Sequence, residues 1–557
     1  MSSNIFFKGE AMKLYTKIFI IIIIVTVAGC AKKRYDSEAL SLLKDMSLER
    51  KIGQMIMVAV PGTGMNADIR AIIKGYLPGG VILYGKNLTT LENNRRFIGE
   101  MQEASMLGSG MPLFVSVDQE GGRVIRFVPG VTQFPGTMAA GVCGDEDLAY
   151  RWGRILGLQM RMTGVNMNLA PVLDVNNNPR NPVINTRSFG SDPRLVADLG
   201  AAYIEGLQES RCIAVGKHFP GHGDTDKDSH LTLPVIHYDM KRLESVELVP
   251  FKKAIRSGVD GIMTAHIAYP AILGTDEPAT VSKRMLTTLL RTEMGFRGLV
   301  ITDDMEMHAI SRRQDMGEAT VSSVLAGADV ILISSHEGNI PVIYNAIKKA
   351  VIEKRISEER LNDSVRRILE VKMRYGIMTG EPGKPALPEF VITEKDRKEL
   401  EGAGDVNAGL SRGGLLYFGR PDLLRPAPGT ARVFVPMNRF LREELARVPA
   451  NGIAASLSDA ARFAPKKGSR AVLYVQIVKP DLAYLDAAIR LCTSSGMDLV
   501  VLSSGNPFPV TVSGLVHAGL LSFSDTEESN RQMGHCLNGE FEPRTGGTLQ
   551  LGLQKIE

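Results

Sequence analysis

The stretch Ala214-Val215-Gly216-Lys217-His218-Phe219-Pro220-Gly221-His222-Gly223-Asp224 carries the reading of the fold. A short apolar run enters it, and the chain then breaks abruptly into charged residues, glycines and a proline. That is how a buried parallel strand ends when its C-terminal edge carries chemistry. Working outward, the same pattern recurs at Gln54–Val60, Val81–Tyr84, Leu113–Val117, Met167–Leu173, Gly261–Ala265, Leu299–Thr302 and Asp329–Ile333. Amphipathic or charged segments lie between these runs, among them Leu91–Leu107, Asp145–Thr163, Arg194–Ser210, Met240–Ser257 and Lys283–Met294. With Ala214–His218 the runs number eight, spaced roughly forty residues apart, which is the count of a (β/α)8 TIM-type barrel. An open doubly wound sheet is the competitor, and no GxGxxG follows the first run to support it.

Beyond the barrel, Ile340–Tyr375 reads as a long helical region that ends at Gly376. Gly380-Glu381-Pro382-Gly383-Lys384-Pro385-Ala386-Leu387-Pro388 is then an extended linker, because its prolines forbid a helix. Ala431–Val435, Ala471–Ile477 and Leu499–Leu502 read as strands and Leu482–Leu491 as a helix, giving a smaller α/β sandwich domain. The expected division is 1–29, 30–44, 45–376, 377–392 and 393–557: signal peptide, tether, barrel, linker and second domain. The 557 residues have room for both folded units. Hydrophobic residues at 44% and charged residues at 23% exclude a disordered or collagenous chain. A net charge of +4 over this length is no nucleic-acid footprint. The 5 cysteines form no CxxC pair, so no zinc ribbon or disulfide framework is expected. The lone Trp152 argues against an aromatic-rich sugar-stacking module.

Polar residues follow the strands where a barrel places its active site. Strand three ends in Asp118-Gln119-Glu120-Gly121-Gly122-Arg123, strand four in Asp174, strand five in Lys217-His218, strand six in His266 and strand seven in Asp303-Asp304. One such residue reads as a cap or an ion pair; five converging on one mouth read as a site for a polyhydroxylated substrate. No metal is expected. Asp224, Asp226 and Asp228 open like a calcium loop, but Ser229 and Val235 occupy the positions that need Gly and Glu. His218 and His222 lie in a Gly/Pro loop, not on the helix of an HExxH site. No cofactor is implied.

At these residues the sequence resembles glycoside hydrolase family 3, in particular its β-N-acetylhexosaminidase branch. The motifs are Val117-Asp118-Gln119-Glu120-Gly121-Gly122-Arg123-Val124, Lys217 through Asp224, Asp228-Ser229-His230, Thr186-Arg187-Ser188-Phe189-Gly190 and Ile301-Thr302-Asp303-Asp304-Met305-Glu306-Met307. The likeness is strong over 45–375 and weaker over 390–557. It implies a retaining mechanism, in which a nucleophile and an acid/base group about 5 Å apart act through a glycosyl-enzyme intermediate. Asp303 aligns with the nucleophile. Asp304 is its neighbour and rival, since successive strand residues face opposite ways. The acid/base of this branch is a His–Asp pair, matching His230 and Asp228. The carboxylate would orient the imidazole and favour its protonated form. Asp118, Arg126, Arg187, Lys217 and His218 match the family's sugar-binding positions. Asp174 is expected to orient the arginines, and His266 and Glu306 either to support the nucleophile or to pack.

At the N-terminus, Lys13 and Lys17 precede the apolar run Ile18–Val25 and then Val27-Ala28-Gly29-Cys30. The run is too short for a comfortable span of about 20 residues, and the sequence resembles a bacterial lipobox, with lipidation expected at Cys30. The whole reads as an extracytoplasmic, membrane-anchored lipoprotein that removes terminal β-linked N-acetylglucosamine from carbohydrate, with peptidoglycan fragments as the expected substrate. The rivals are a β-glucosidase or β-xylosidase of the same family, an N-acetylglucosaminide phosphorylase, and an inactive sugar-binding lipoprotein.

Overall fold

The computed structural model describes residues 35–127, 129–178, 180–229, 231–311, 315–334, 338–378, 390–426, 430–447, 451–465, 470–478, 482–504, 516 and 518–545. The expected signal peptide, Cys30, His230 and the Pro382–Pro388 stretch lie outside these residues.

Eight parallel strands form the first unit among the described residues: β1 (Ile56–Ala59), β2 (Gly80–Leu83), β3 (Phe114–Val117), β4 (Met167–Asn168), β5 (Ile213–Phe219), β6 (Gly261–Thr264), β7 (Leu299–Ile301) and β8 (Ile331–Ile333). Neighbours pair in sequence order, β1 pairs with β8, and a parallel bridge between Ile301 and Val330 brings β7 and β8 together. Every residue of these strands is buried, as a sheet covered by helices outside and packed with side chains inside requires. The apolar run at Met167–Leu173 forms a ladder only to Asn168, because Pro171 has no N–H to donate. The chain keeps its direction beyond it: Leu173 N–H donates to Lys217 O at 2.6 Å and Val172 bridges Lys217.

The helices around and beyond this sheet include α1 (Thr137–Cys143), α2 (Glu146–Thr163), α3 (Asn339–Ile352), α4 (Glu358–Arg374), α5 (Glu394–Glu401) and α6 (Ala403–Gly413). Asp145 caps α2 by accepting from Leu148 N–H, Glu146 and Asp147 complement the dipole of its first turn, and Gly164 ends it in a left-handed conformation. The single helical region expected over 340–375 is two helices. Lys354, at φ 61°, breaks α3 from α4, and Ser357 restarts the chain by accepting from Arg360 N–H at 3.1 Å. A further helix over 35–44 sends Ala39 and Leu43 into the barrel's core.

The second unit is a sheet in the order β11-β10-β12-β13-β14-β9-β15, with β9 (Leu416–Gly419), β10 (Ala431–Val435), β11 (Asn451–Ile453), β12 (Ala471–Ile477), β13 (Asp498–Ser503), β14 (Ala518–Leu521) and β15 (Arg544–Thr545). Its strands alternate between two cores. Val472 and Tyr474 pack with helix 527–537 on one face, while Leu473 and Val475 pack with helix 482–495 on the other. That period of two makes it an α/β sandwich. The sequence reading found three of these strands. β9, β11, β14 and β15 are short, and β9 runs antiparallel to β14, so none shows a long apolar run.

The two units meet along α5 and α6, which lie against α2. Arg154 pairs with Asp396 at 2.5 Å, Arg151 with Glu399 at 3.0 Å, and Val406 and Leu410 continue the barrel's core.

Candidate active site

At the C-terminal end of the barrel strands a cavity of about 290 Å³ is lined by Tyr84, Asp118, Glu120, Arg126, Arg187, Lys217, His218, Ser229, Asp303 and Asp304, among others. Strand ends β2, β3, β5 and β7 thus converge with the loop that follows β4, as a barrel's geometry dictates. A larger cavity, about 880 Å³, lies at the opposite end beside Asp260, Arg291 and Arg374; it touches none of these residues.

One wall of the mouth is an ionic network. Lys217 Nζ lies 2.6 Å from Asp118 Oδ1 and 2.7 Å from Glu120 Oε1. Arg187 grips Glu120 with a fork, Nε and Nη2 each donating at 2.8 Å. Burial opposes ionisation of Glu120, but the charges of Arg187 and Lys217 outweigh it and hold the carboxyl well below its usual range. The same pairing keeps Lys217 and Arg187 charged despite their burial. Arg126 stands 6.0 Å from the Tyr84 ring, and its Nε is buried with no hydrogen-bond partner among the described residues.

A second layer lies beneath. Asp174, fully buried, accepts from His218 Nδ1 at 2.7 Å and from His222 N–H at 2.7 Å. It therefore orients the histidine loop, not the arginines, and this corrects the sequence expectation. His222 passes the order on through Nε2, 2.9 Å from Ser229 Oγ. That contact ties Ser229, next to Asp228, to the cavity wall. Burial, then the neighbouring His218, push the His222 imidazole down to about 4, so it is neutral at pH 7.

Asp303 and Asp304 both line the cavity, against the expectation that only one faces it. β7 ends at Ile301, so the strict alternation of a strand no longer governs residues 303 and 304. Their electrostatics diverge. Burial opposes ionisation of Asp303, but His266, His218, the Asp304 N–H donated at 2.8 Å and Lys217 together hold its carboxyl below the ordinary value. Asp304 is pushed by burial up to about 6. His266 sits beneath this pair, with Nε2 2.9 Å from the Asp304 carbonyl and Nδ1 2.8 Å from Thr280 Oγ1. Glu306 turns away, accepting from Ser334 Oγ at 3.1 Å and Asn339 Nδ2 at 2.5 Å. Of the sequence's alternatives, His266 lies against the Asp303–Asp304 pair and Glu306 packs away from it. Among the described residues no group of three His, Cys, Asp or Glu side chains is placed to hold a metal ion.

Residues 47–371 match the glycosyl hydrolase family 3 N-terminal domain. The chain belongs to glycoside hydrolase family 3. Among family 3 relatives, the β-hexosaminidase A of Pseudoalteromonas piscicida is 34% identical over 334 residues, 56% of this chain and 56% of that protein. The chain thus spans little more than half the length of that relative. The β-hexosaminidase of Idiomarina loihiensis is 32% identical over 52% of this chain and 87% of its own length. A solved family 3 β-N-acetylglucosaminidase from Paenibacillus sp. str. FPU-7 is 32% identical, with a TM-score of 0.80 over 90% of this chain and 98% of that one. A β-glucoside phosphorylase shares the fold at 20% identity and a TM-score of 0.78.

In this family 3 site the structure gathers Asp118, Arg126, Arg187, Lys217, His218 and Asp303 around one cavity. Asp228 is half-buried next to Ser229, and its carbonyl accepts from the Leu231 and Thr232 N–H groups, turning the loop back on itself. Two participants escaped the sequence reading. Glu120 stood inside a quoted motif, and the demand of Arg187 and Lys217 for a buried carboxylate would have found it. Tyr84 ends the β2 run, where the barrel rule already points.

Proposed function

We propose that this protein is a retaining exo-β-N-acetylglucosaminidase that removes terminal β-linked N-acetylglucosamine by double displacement. The observation that carries the reading is Asp303, held ionised at the mouth beside a cation-rich wall and fed by His266 and the Asp304 N–H. The Asp303 carboxylate attacks the anomeric carbon as the glycosidic C–O bond breaks, and an ester to the sugar forms. His230, protonated and oriented by Asp228, gives its proton to the departing oxygen. A water then attacks the anomeric carbon, His230 takes its proton, and Asp303 leaves as carboxylate. Asp118 accepts from sugar hydroxyls, while Arg126, Arg187, Lys217 and His218 donate to them.

The names of the relatives at 32–34% identity support the sugar and the bond. Mass spectrometry of enzyme quenched during turnover should find the sugar on the peptide that holds Asp303, and proton NMR should show the β-anomer released first. Release of the α-anomer sinks the retaining mechanism, and release of sugar 1-phosphate when phosphate is present sinks the hydrolase reading.

The cell-envelope address is part of the same proposal. Val27-Ala28-Gly29-Cys30 after an apolar run supports lipidation at Cys30, and an envelope enzyme meets peptidoglycan fragments. No helix among the described residues is long and apolar enough to cross a membrane. Cys30→Ala should leave the membrane fraction and lose incorporation of labelled fatty acid; an unlabelled wild-type protein refutes the anchor.

A further inference from the structure

We propose that the second domain positions the sugar-binding Arg187 and its buried partner Glu120, acting through Phe523 and Gly136. The contact is a crossing of backbones. A Cβ at Gly136 would lie 3.2 Å from the Phe523 carbonyl oxygen of the second domain and 3.5 Å from the Thr186 carbonyl oxygen, one residue before Arg187. A Cβ at Gly122, two residues after Glu120, would lie 2.6 Å from the Gly136 Cα. No side chain fits at Gly122 against Gly136, and a methyl at Gly136 would press on the Phe523 carbonyl by a few tenths of an ångström, so a shift of one segment bears on the others.

α1 fixes the crossing from the barrel side. Thr137 Oγ1 donates to the Arg187 carbonyl at 2.6 Å, and at Gly141 a Cβ would fall 1.7 Å from the Phe189 carbonyl oxygen. The other side of α1 belongs to the second domain. Met138 and Ala139 share a buried cluster with Leu416, Leu521 and Phe523, and Arg544 Nη2 donates to the Cys143 carbonyl at 2.5 Å. Phe523 itself is held at φ 56°, a conformation that a residue with a bulky side chain adopts only when its surroundings impose it. The second domain therefore closes on α1 and on the turn that carries Arg187, with a strained residue at the point of contact.

This proposal rests on Arg187 as a sugar-binding group held by Glu120, and the protein supplies a probe that does not depend on activity. Trp152, its only tryptophan, has its ring edge 3.1 Å from where a Cβ at Gly121 would sit, in the same β3 loop. Phe523→Ala empties the shared cluster; Gly136→Ala, at φ −65°, leaves the backbone unstrained and inserts one methyl at the crossing. In the full chain both should raise KM for an aryl N-acetylglucosaminide by about 5- to 20-fold with kcat within about 3-fold, and Phe523→Leu should recover most of the loss. Both should also shift the emission and acrylamide quenching of Trp152. Asp498→Ala is the control: at the far edge of β13 it takes one of two carboxylates from Arg420 and Arg470, which keep Asp422, and should lower Tm without moving KM or Trp152. If Phe523→Ala and Gly136→Ala lower Tm like the control and leave KM and Trp152 emission unchanged, the second domain is only a scaffold. If wild-type enzyme shows no turnover, the activity reading fails, and Trp152 emission alone then upholds or overturns the coupling.

Discussion

At one end of the barrel, Asp329 is buried among Arg291, Arg360 and Arg367; at the other, Glu120 is buried between Arg187 and Lys217. The raw materials are alike: a carboxylate without water, held ionised by cations against the cost of burial. What differs is saturation. Asp329 also accepts from Ser364 Oγ at 2.6 Å and Val300 N–H at 3.0 Å, so its oxygens are fully engaged inside the protein. Lys372 nearby spends all three of its protons on Gln54, Gly79 and Pro112 oxygens at 2.7–2.9 Å. At the mouth the network stops short. Arg126, whose Nε has no hydrogen-bond partner among the described residues, and Asp303 both border the cavity. A buried ionic cluster staples a fold when its valences are met internally and makes a site when some are left for a ligand.

The comparison breaks most visibly at Asp303. Asp303→Ala should cut turnover of every substrate by roughly 10⁴-fold or more while Tm changes little, because the covalent intermediate cannot form. A steady-state assay beside a melting curve checks both halves.

His230→Gly should be graded by leaving group. Release of a sugar alcohol should slow by about 10² to 10⁴-fold, whereas an activated aryl group leaves with little help. The covalent species should accumulate and azide should rescue turnover. Asp228→Ala should be milder. Equal damage to both substrate classes, without azide rescue, would place the acid/base elsewhere.

At the other end, Asp329→Ala takes the shared carboxylate from three arginines, leaving Arg367 only Asp363, and should cost about 3–5 kcal/mol of stability. Urea titration measures that loss. KM of the folded fraction should not move, and a rise in KM would mean that the two ends are not independent.

The smallest effect is a pH dependence inside the mouth. The Asp304 carboxyl, ordinarily near 3.8, is raised to about 6 in the folded protein. Folded protein therefore keeps a proton that unfolded chain has released, and the stability this supplies, full below pH 3.8, is lost as pH rises through 6. His222, lowered from 6.5 to about 4, runs the other way: its contribution is present above 6.5 and is lost as pH falls through 4. The quantity to measure is the stability difference between wild type and Asp304→Asn. It should fall by about 1–3 kcal/mol between pH 4 and pH 6.5. A flat difference would mean that Asp304 is ionised throughout.

The sequence by itself determined the barrel and most of its mouth. Eight apolar runs with polar ends need a closed parallel sheet, and that closure puts Asp118, Lys217, His218 and Asp303 on one rim wherever the helices lie. Local pattern carries such information because burial and strand period act residue by residue. Only the tertiary structure decided who partners whom. Asp174 could have faced an arginine or a histidine, and the end of β5 with the loop after it gave it His218 and His222. Asp303 and Asp304 were separable by alternation only while the strand lasted, and it ends two residues earlier. The segments of Gly122, Thr186 and Phe523 come from distant stretches of the chain and meet around Gly136, so no local pattern announces their contact. A pairing between distant residues costs chain entropy and is repaid by contacts that exist only after folding, which is why periodicity could not have shown it.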